Sequence, residues 1–272
     1  MTNQAADIVV TSDVAYRGSG AKDGLATLDI YSGRNDKGAV INIHGGGWFK
    51  GDKAQDRDLC LDYCTAGYLV FAPNYRLAPG ALYPAQIEDI LACIDWVRAS
   101  PHDFDHQRIA VCGSSAGGNL SVEAGVRTGL PIVSWSGLID LDGFLARTQA
   151  VVPRKNEQAP ETPSAKIDQG GPDDAFYKWC ILNLLGQDAD KAYAATPIHR
   201  VTASAGPMFL ANALEEFIPA NEVHTLQTAL TANKVPSVVK LVEGRAHAKG
   251  YQTLVWRETL DFLDRYVGRT AR

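Results

Sequence analysis

Nothing in this 272-residue sequence approaches a run of about 18 uninterrupted apolar residues, the length a membrane-crossing helix requires. Clusters of Lys and Arg are missing too. With 26 basic residues against 31 acidic ones the formal net charge is −5, which leaves no basic surface for phosphate backbones or anionic lipids. Nucleic acids and membranes are therefore not expected partners. The opening MTNQAADIVV carries neither a basic stretch nor a long apolar one of the kind that marks a signal peptide, so the chain is expected to be soluble and cytoplasmic. Cysteine pairs are also absent. Cys60, Cys64, Cys93, Cys112 and Cys180 are an odd number, scattered through apolar contexts without a CxxC motif, and are expected to be buried free thiols. Cys60 and Cys64 stand one helical turn apart, but no His or second Cys pair nearby completes a metal site. No metal or other cofactor is expected, and no internal repeat is visible.

What is present is 46% hydrophobic residues with 21% charged, ordinary globular composition with apolar material for a sizeable core. Strand-like runs alternate with helical patterns. Residues 26–32, 39–45, 68–72, 108–112, 132–136, 208–213 and 237–242 read as strands. Helices are expected over 56–67, 84–99, 116–126, 220–233 and 252–267. Such alternation implies a mostly parallel sheet with helices on both faces, and ligands on such sheets bind beyond the carboxyl ends of the strands. The pattern breaks at residues 138–187, which carry the polar, proline-rich VVPRKNEQAPETPSAKIDQGGPDD. Because the strand pattern resumes afterwards, this stretch is expected to be an insertion in one domain spanning 1–272, a lid over the active site that follows the strand at 132–136.

Gly113-Ser114-Ser115-Ala116-Gly117 lies between a strand and a helix. A nucleophilic serine needs a sharp turn that lifts its hydroxyl out of the sheet, with small residues two before and two after it where the strand and helix backbones crowd together. Ser115 is framed in this way and Ser114 is not. Attack on an acyl carbon creates an oxyanion, which fixed backbone amides stabilise. One such amide is expected from Ala116, at the start of the helix. A second loop must supply another. His44-Gly45-Gly46-Gly47 ends a strand in the right place, and Gly45 and Gly46 are the expected donors. Trp48 follows, and either lines the substrate pocket, as expected, or packs against the sheet.

HGGGW (44–48), NYRLAP (74–79) and GSSAGG (113–118), in this order and at these intervals, resemble the α/β-hydrolase fold. Within it they resemble HGGG-type carboxylesterases, the hormone-sensitive-lipase-like group and related bacterial carbohydrate acetyl and feruloyl esterases. The similarity runs from about residue 26 to the last helix. It implies a Ser…acid…His order, which assigns the base to His247 in the loop before the final helix. His44 is expected to buttress the glycine loop without titrating in catalysis. The family's acid is usually an aspartate a few residues before a proline that follows the next-to-last strand. Here that run is LEEFIP (214–219), and counting back from Pro219 gives Glu215, with Glu216, Asp140 and Asp142 as the other candidates.

The function so implied is hydrolysis of short-chain acyl esters of small molecules by a serine carboxylesterase, through a Ser115-His247-Glu215 triad and an acyl-enzyme, in a monomer or homodimer. Its rivals are an amide hydrolase such as an arylformamidase, and a non-catalytic binding protein of the same fold.

Overall fold

The computed structural model describes residues 8–17, 26–156 and 164–268. Residues 157–163 of the insertion, and most of the opening MTNQAADIVV, lie outside the described residues. Eight strands form one sheet: β1 (Val9–Ala15), β2 (Thr27–Ser32), β3 (Ala39–Ile43), β4 (Leu69–Pro73), β5 (Ile109–Ser114), β6 (Ile132–Trp135), β7 (Met208–Ala213) and β8 (Ser237–Val242). Their order across the sheet is β1-β2-β4-β3-β5-β6-β7-β8. β2 pairs antiparallel with both β1 and β4, and the remaining neighbours are parallel. The α-helices are α1 (Arg57–Thr65), α2 (Ala85–Ala99), α3 (Ala116–Thr128), α4 (Leu141–Arg147), α5 (Asp174–Leu184), α6 (Ala192–Ala195), α7 (Asn221–Ala232) and α8 (Gln252–Val267).

The central strands are apolar on both faces because both faces are covered. Along β5, Ile109 and Val111 enter one core with residues of α2, α3 and α7, while Ala110 and Cys112 enter the other with α1 and α8. This two-sided burial explains why these strands read as continuous apolar runs in the sequence. β1 differs. It is an edge strand with mostly exposed residues, too polar to announce itself, and it was not anticipated. All five cysteines are free and buried, and burial raises their thiol pKa values, Cys64 to about 11 and Cys112 to about 12. They are inert thiols, not nucleophiles.

Residues 138–187 are partly helical, containing α4 and α5, and are anchored to α7 by one buried carboxylate. Glu222, in the first turn of α7, accepts the amides of Ile139 and Asp140 at 3.0 Å, the Tyr177 hydroxyl at 2.9 Å and the Arg147 guanidinium at 2.8 Å. Burial raises its carboxyl pKa from 4.5 to about 7, against the lowering effect of those hydrogen bonds. The folded chain thus keeps this proton where the unfolded chain has lost it. The carboxyl's contribution to stability is full below pH about 4.5 and falls as pH rises towards about 7. Glu222→Gln does not titrate, so its melting temperature relative to wild type is expected to rise between about pH 5 and pH 8. Thermal melts of both proteins check this, and a difference independent of pH contradicts it.

Candidate active site

The functional loops gather at the carboxyl ends of β3, β5, β7 and β8. Ser115, at the β5–α3 turn, has φ 54° and ψ −123°, a strained left-handed conformation for a residue with a side chain. It is held there by its amide, which donates to the Trp135 carbonyl at 2.8 Å. The flanking glycines are compulsory. A Cβ on Gly113 would lie 2.3 Å from the Gly117 carbonyl oxygen, and one on Gly117 only 2.1 Å from that of Ile43. The turn therefore seats β3, β5 and α3 in backbone contact, with α3 starting at Ala116 and its amino end aimed at the site.

The glycine loop lies against this elbow. A Cβ on Gly45 would stand 3.3 Å from Ser115 Cβ. The amides of Gly45 and Gly46 donate to no acceptor among the described residues, whereas the Gly46 carbonyl accepts from Phe49 and Lys50 at 3.1 Å. Gly46 has φ +112°, and a Cβ there would meet the Lys50 carbonyl oxygen at 2.1 Å. Glycine at 46 is thus demanded by the turn itself. His44 is buried and stacked on Tyr75 with ring centroids 4.3 Å apart. Its Nδ1–H donates to the Gly45 carbonyl at 2.7 Å, and the Tyr75 hydroxyl donates to the His44 carbonyl at 3.0 Å. Burial lowers the His44 pKa to about 4, so at neutral pH it is an uncharged brace for the loop.

Trp48 requires a correction. It was expected to line the substrate pocket, but it is 0% exposed and belongs to the main core. Gly46, Gly47 and Trp48 all have positive φ, and this run of left-handed residues turns the indole inward. Half-buried Phe49 instead meets the insertion, with its ring 4.8 Å from Trp179 and 6.2 Å from Phe176. Phe176 contacts Phe217 at 5.4 Å, and Phe217 stands edge-on to the His247 imidazole at 5.4 Å. Phe217 also lines a cavity of about 220 Å³ whose other walls include Asn156, Asp168, Gly171 and Asp173.

The carboxylate that meets His247 also differs from expectation. His247 Nδ1 lies 2.6 Å from Glu216 Oε2, not from Glu215, and the His247 and Glu216 side chains are 3% and 0% exposed. The Glu215 side chain is 64% exposed and faces Arg245 at 3.5 Å. The reason lies in the backbone. The β7–β8 pairing runs past the end of β7, with Leu214 N bonded to Val242 O and Glu215 N to Gly244 O. Glu215 is thereby held on the outside, and the chain turns inward one residue later. Asp140 is paired with Arg147, and Asp142 with His199, so neither reaches the site.

Glu216 is fixed on every side. Its Oε1 accepts the Ala213 amide at 2.7 Å and the Ser136 hydroxyl at 2.9 Å. Ser136 Oγ in turn accepts the Ala248 amide at 2.9 Å and lies 2.7 Å from the Tyr251 hydroxyl, which donates to Ala211 O at 2.8 Å. Burial, and after it the charge of Glu216, pushes the Tyr251 pKa well up, so its proton stays in place. The end of β6 therefore ties three loops together: Trp135 holds the Ser115 amide, and Ser136 holds both Glu216 and the residue after His247. Because Nδ1 carries its proton toward the carboxylate, Nε2 is the accepting nitrogen of His247. That nitrogen is buried and without a partner among the described residues.

Among the described residues no group of three or more His, Cys, Asp or Glu could hold a metal ion, and no helix is long and apolar enough to cross a membrane.

The sequence itself falls within a known family. The model of the BD-FAE family matches residues 28–230 of this chain. The chain belongs to the BD-FAE family. This match spans β2 to α7, including the glycine loop, the elbow and Glu216. Among curated relatives of this BD-FAE chain, Carboxylesterase NlhH of Mycobacterium tuberculosis is 38% identical over 91 residues, 32% of this chain and 28% of that one. Esterase LipC of the same organism is 26% identical over 197 residues, 71% of this chain and 48% of that one. The chain thus spans less than half the length of either relative. Among solved structures, a truncated carbohydrate esterase from gut microbiota superposes with a TM-score of 0.75 at 21% identity, covering 97% of this chain and 98% of that one. Esterase B from Lactobacillus Rhamnosis gives 0.73 at 20% identity, covering 96% and 87%. The fold is therefore the α/β-hydrolase fold.

Proposed function

We propose that this chain is a serine carboxylesterase acting on short-chain acyl esters as a single hydrolase domain, with Ser115 as nucleophile, His247 as base and Glu216 as the triad acid. The observation that carries this reading is the buried 2.6 Å contact of His247 Nδ1 with Glu216, which commits the tautomer and leaves Nε2 as the proton acceptor for a serine held on a strained elbow. His247 takes the Ser115 proton as Oγ bonds to the ester carbonyl carbon, and Glu216 stabilises the imidazolium. The amides of Gly45, Gly46 and Ala116 receive the oxyanion. His247 then returns the proton to the leaving alcohol as the carbon–oxygen bond breaks. Water hydrolyses the acyl-enzyme by the same route.

The relatives named carboxylesterase and esterase support the reaction class. The aromatic edge of Phe49, Trp179 and Phe176, with the cavity beside Phe217, forms the surface offered to substrate, and the insertion that supplies most of it acts as the lid.

A series of p-nitrophenyl esters from acetyl to octanoyl, run beside acetylated sugars, measures the acyl and alcohol preference. Labelling with an organophosphate, followed by peptide mass spectrometry, is expected to place the adduct on Ser115. An adduct elsewhere, or ester hydrolysis no faster than buffer, sinks this reading.

A further inference from the structure

The His247 backbone is fastened by a side chain from the insertion. Gln169 Oε1 accepts the His247 amide at 2.9 Å, and Gln169 Nε2 donates to the His247 carbonyl at 2.9 Å. The second Nε2 proton goes to the Ile167 carbonyl at 2.8 Å. One carboxamide thus pairs with both backbone groups of the catalytic base as a neighbouring strand would, using both of its donors and one acceptor position. The histidine loop is shaped to receive it. A Cβ on Gly250 would sit 2.1 Å from Gln169 Oε1, and Gly250 N closes the turn on the His247 carbonyl at 2.8 Å.

The contact continues along the insertion. A Cβ on Gly171, two residues on, would lie 3.2 Å from the Glu215 carbonyl oxygen and from Arg245 Cδ. A three-residue stretch of the insertion therefore touches both the loop that supplies the acid and the loop that supplies the base. No other side chain hydrogen-bonds to the His247 amide among the described residues. Without Gln169 that N–H, next to a buried imidazole, loses its protein partner.

We propose that Gln169 is a positioning residue: it sets the main chain of His247, and the insertion holds the base in register as well as covering the site. This rests on the triad reading given above. A glutamine is suited to the place because it offers a donor and an acceptor side by side. A glutamate keeps the acceptor for the amide and turns a charged oxygen toward two carbonyls. Gln169→Glu is therefore expected to do at least as much harm as Gln169→Ala, although it preserves size.

The test is made on the full-length chain. Active sites are counted with an organophosphate in wild type, Gln169→Ala and Gln169→Glu, and kcat and KM for p-nitrophenyl butyrate are measured per titrated site. In parallel, the downfield proton resonance of the His247 Nδ1–H in its contact with Glu216 is recorded by NMR. Displacement of a catalytic group by an ångström or less lowers kcat steeply, so a fall of ~10- to 100-fold with KM changed by less than threefold is expected. The resonance is expected to shift or broaden in both variants. Merely structural packing would lower the titrated fraction or the melting temperature and leave kcat per site and the resonance as in wild type. That outcome overturns the proposal. Failure of the organophosphate to label Ser115 in wild type refutes the esterase reading instead, and the resonance then decides the Gln169 assignment on its own.

Discussion

Replacing Ser115 by alanine is expected to lower kcat for p-nitrophenyl acetate by ~10⁶-fold, the size of effect seen when a triad nucleophile is deleted, with little change in the fold. The expectation follows from what surrounds the hydroxyl. Ser115 occupies a conformation with φ 54° that an unstrained turn would avoid, and it is over-determined by the Trp135 carbonyl, by the missing Cβ atoms of Gly113 and Gly117, and by the start of α3. Alanine has the same Cβ and inherits the same backbone strain, so stability should move little. Loss of Oγ removes the only atom there able to bond to the acyl carbon. Residual hydrolysis in the Ser115→Ala enzyme measures what the oxyanion-binding amides and substrate binding supply without the serine nucleophile. An alanine variant as active as wild type would mean that the elbow is not the site of reaction.

The elbow was legible because it is built from constraints that only certain residue types meet. Small residues at 113 and 117, an alanine at the helix start and three glycines after a strand leave few other meanings, and the sheet around them follows from apolar runs long enough to be buried on both faces. What failed to show in the sequence depends on direction. Trp48 follows the glycines in either case, and only the positive φ of Gly46, Gly47 and Trp48 decides that the indole enters the core. β1 carries a half-polar edge pattern that resembles a loop. Gln169 bonds to main-chain atoms, which leave no complementary residue type to recognise. Ser136 is one more serine at a strand end, and nothing local announces that the carboxylate it meets is 80 residues away.

The acid is the sharpest case, and it yields the second large effect. Glu216→Gln is expected to reduce kcat by ~10⁴-fold, as when a triad carboxylate becomes an amide that favours the wrong imidazole tautomer, whereas Glu215→Gln should stay within about twofold of wild type because it breaks only an exposed ion pair. Adjacent residues of one type were indistinguishable in LEEFIP, and counting from Pro219 selects the one that the continued β7–β8 pairing holds outside. The two side chains differ by 64% against 0% exposure, so their replacements separate cleanly. Glu216 is also met by the Ala213 amide and the Ser136 hydroxyl on one oxygen and by His247 on the other. Its reach is therefore fixed from both ends. Glu216→Asp shortens the side chain by one methylene and, with the Ala213 amide and Ser136 anchored to β7 and β6, leaves a gap at Nδ1. That variant is expected to fall well below wild type even though aspartate is the usual acid of related enzymes. Steady-state kinetics of the three variants, with active sites counted by organophosphate, decide the matter: an inactive Glu215→Gln beside an active Glu216→Gln would return the triad to Glu215.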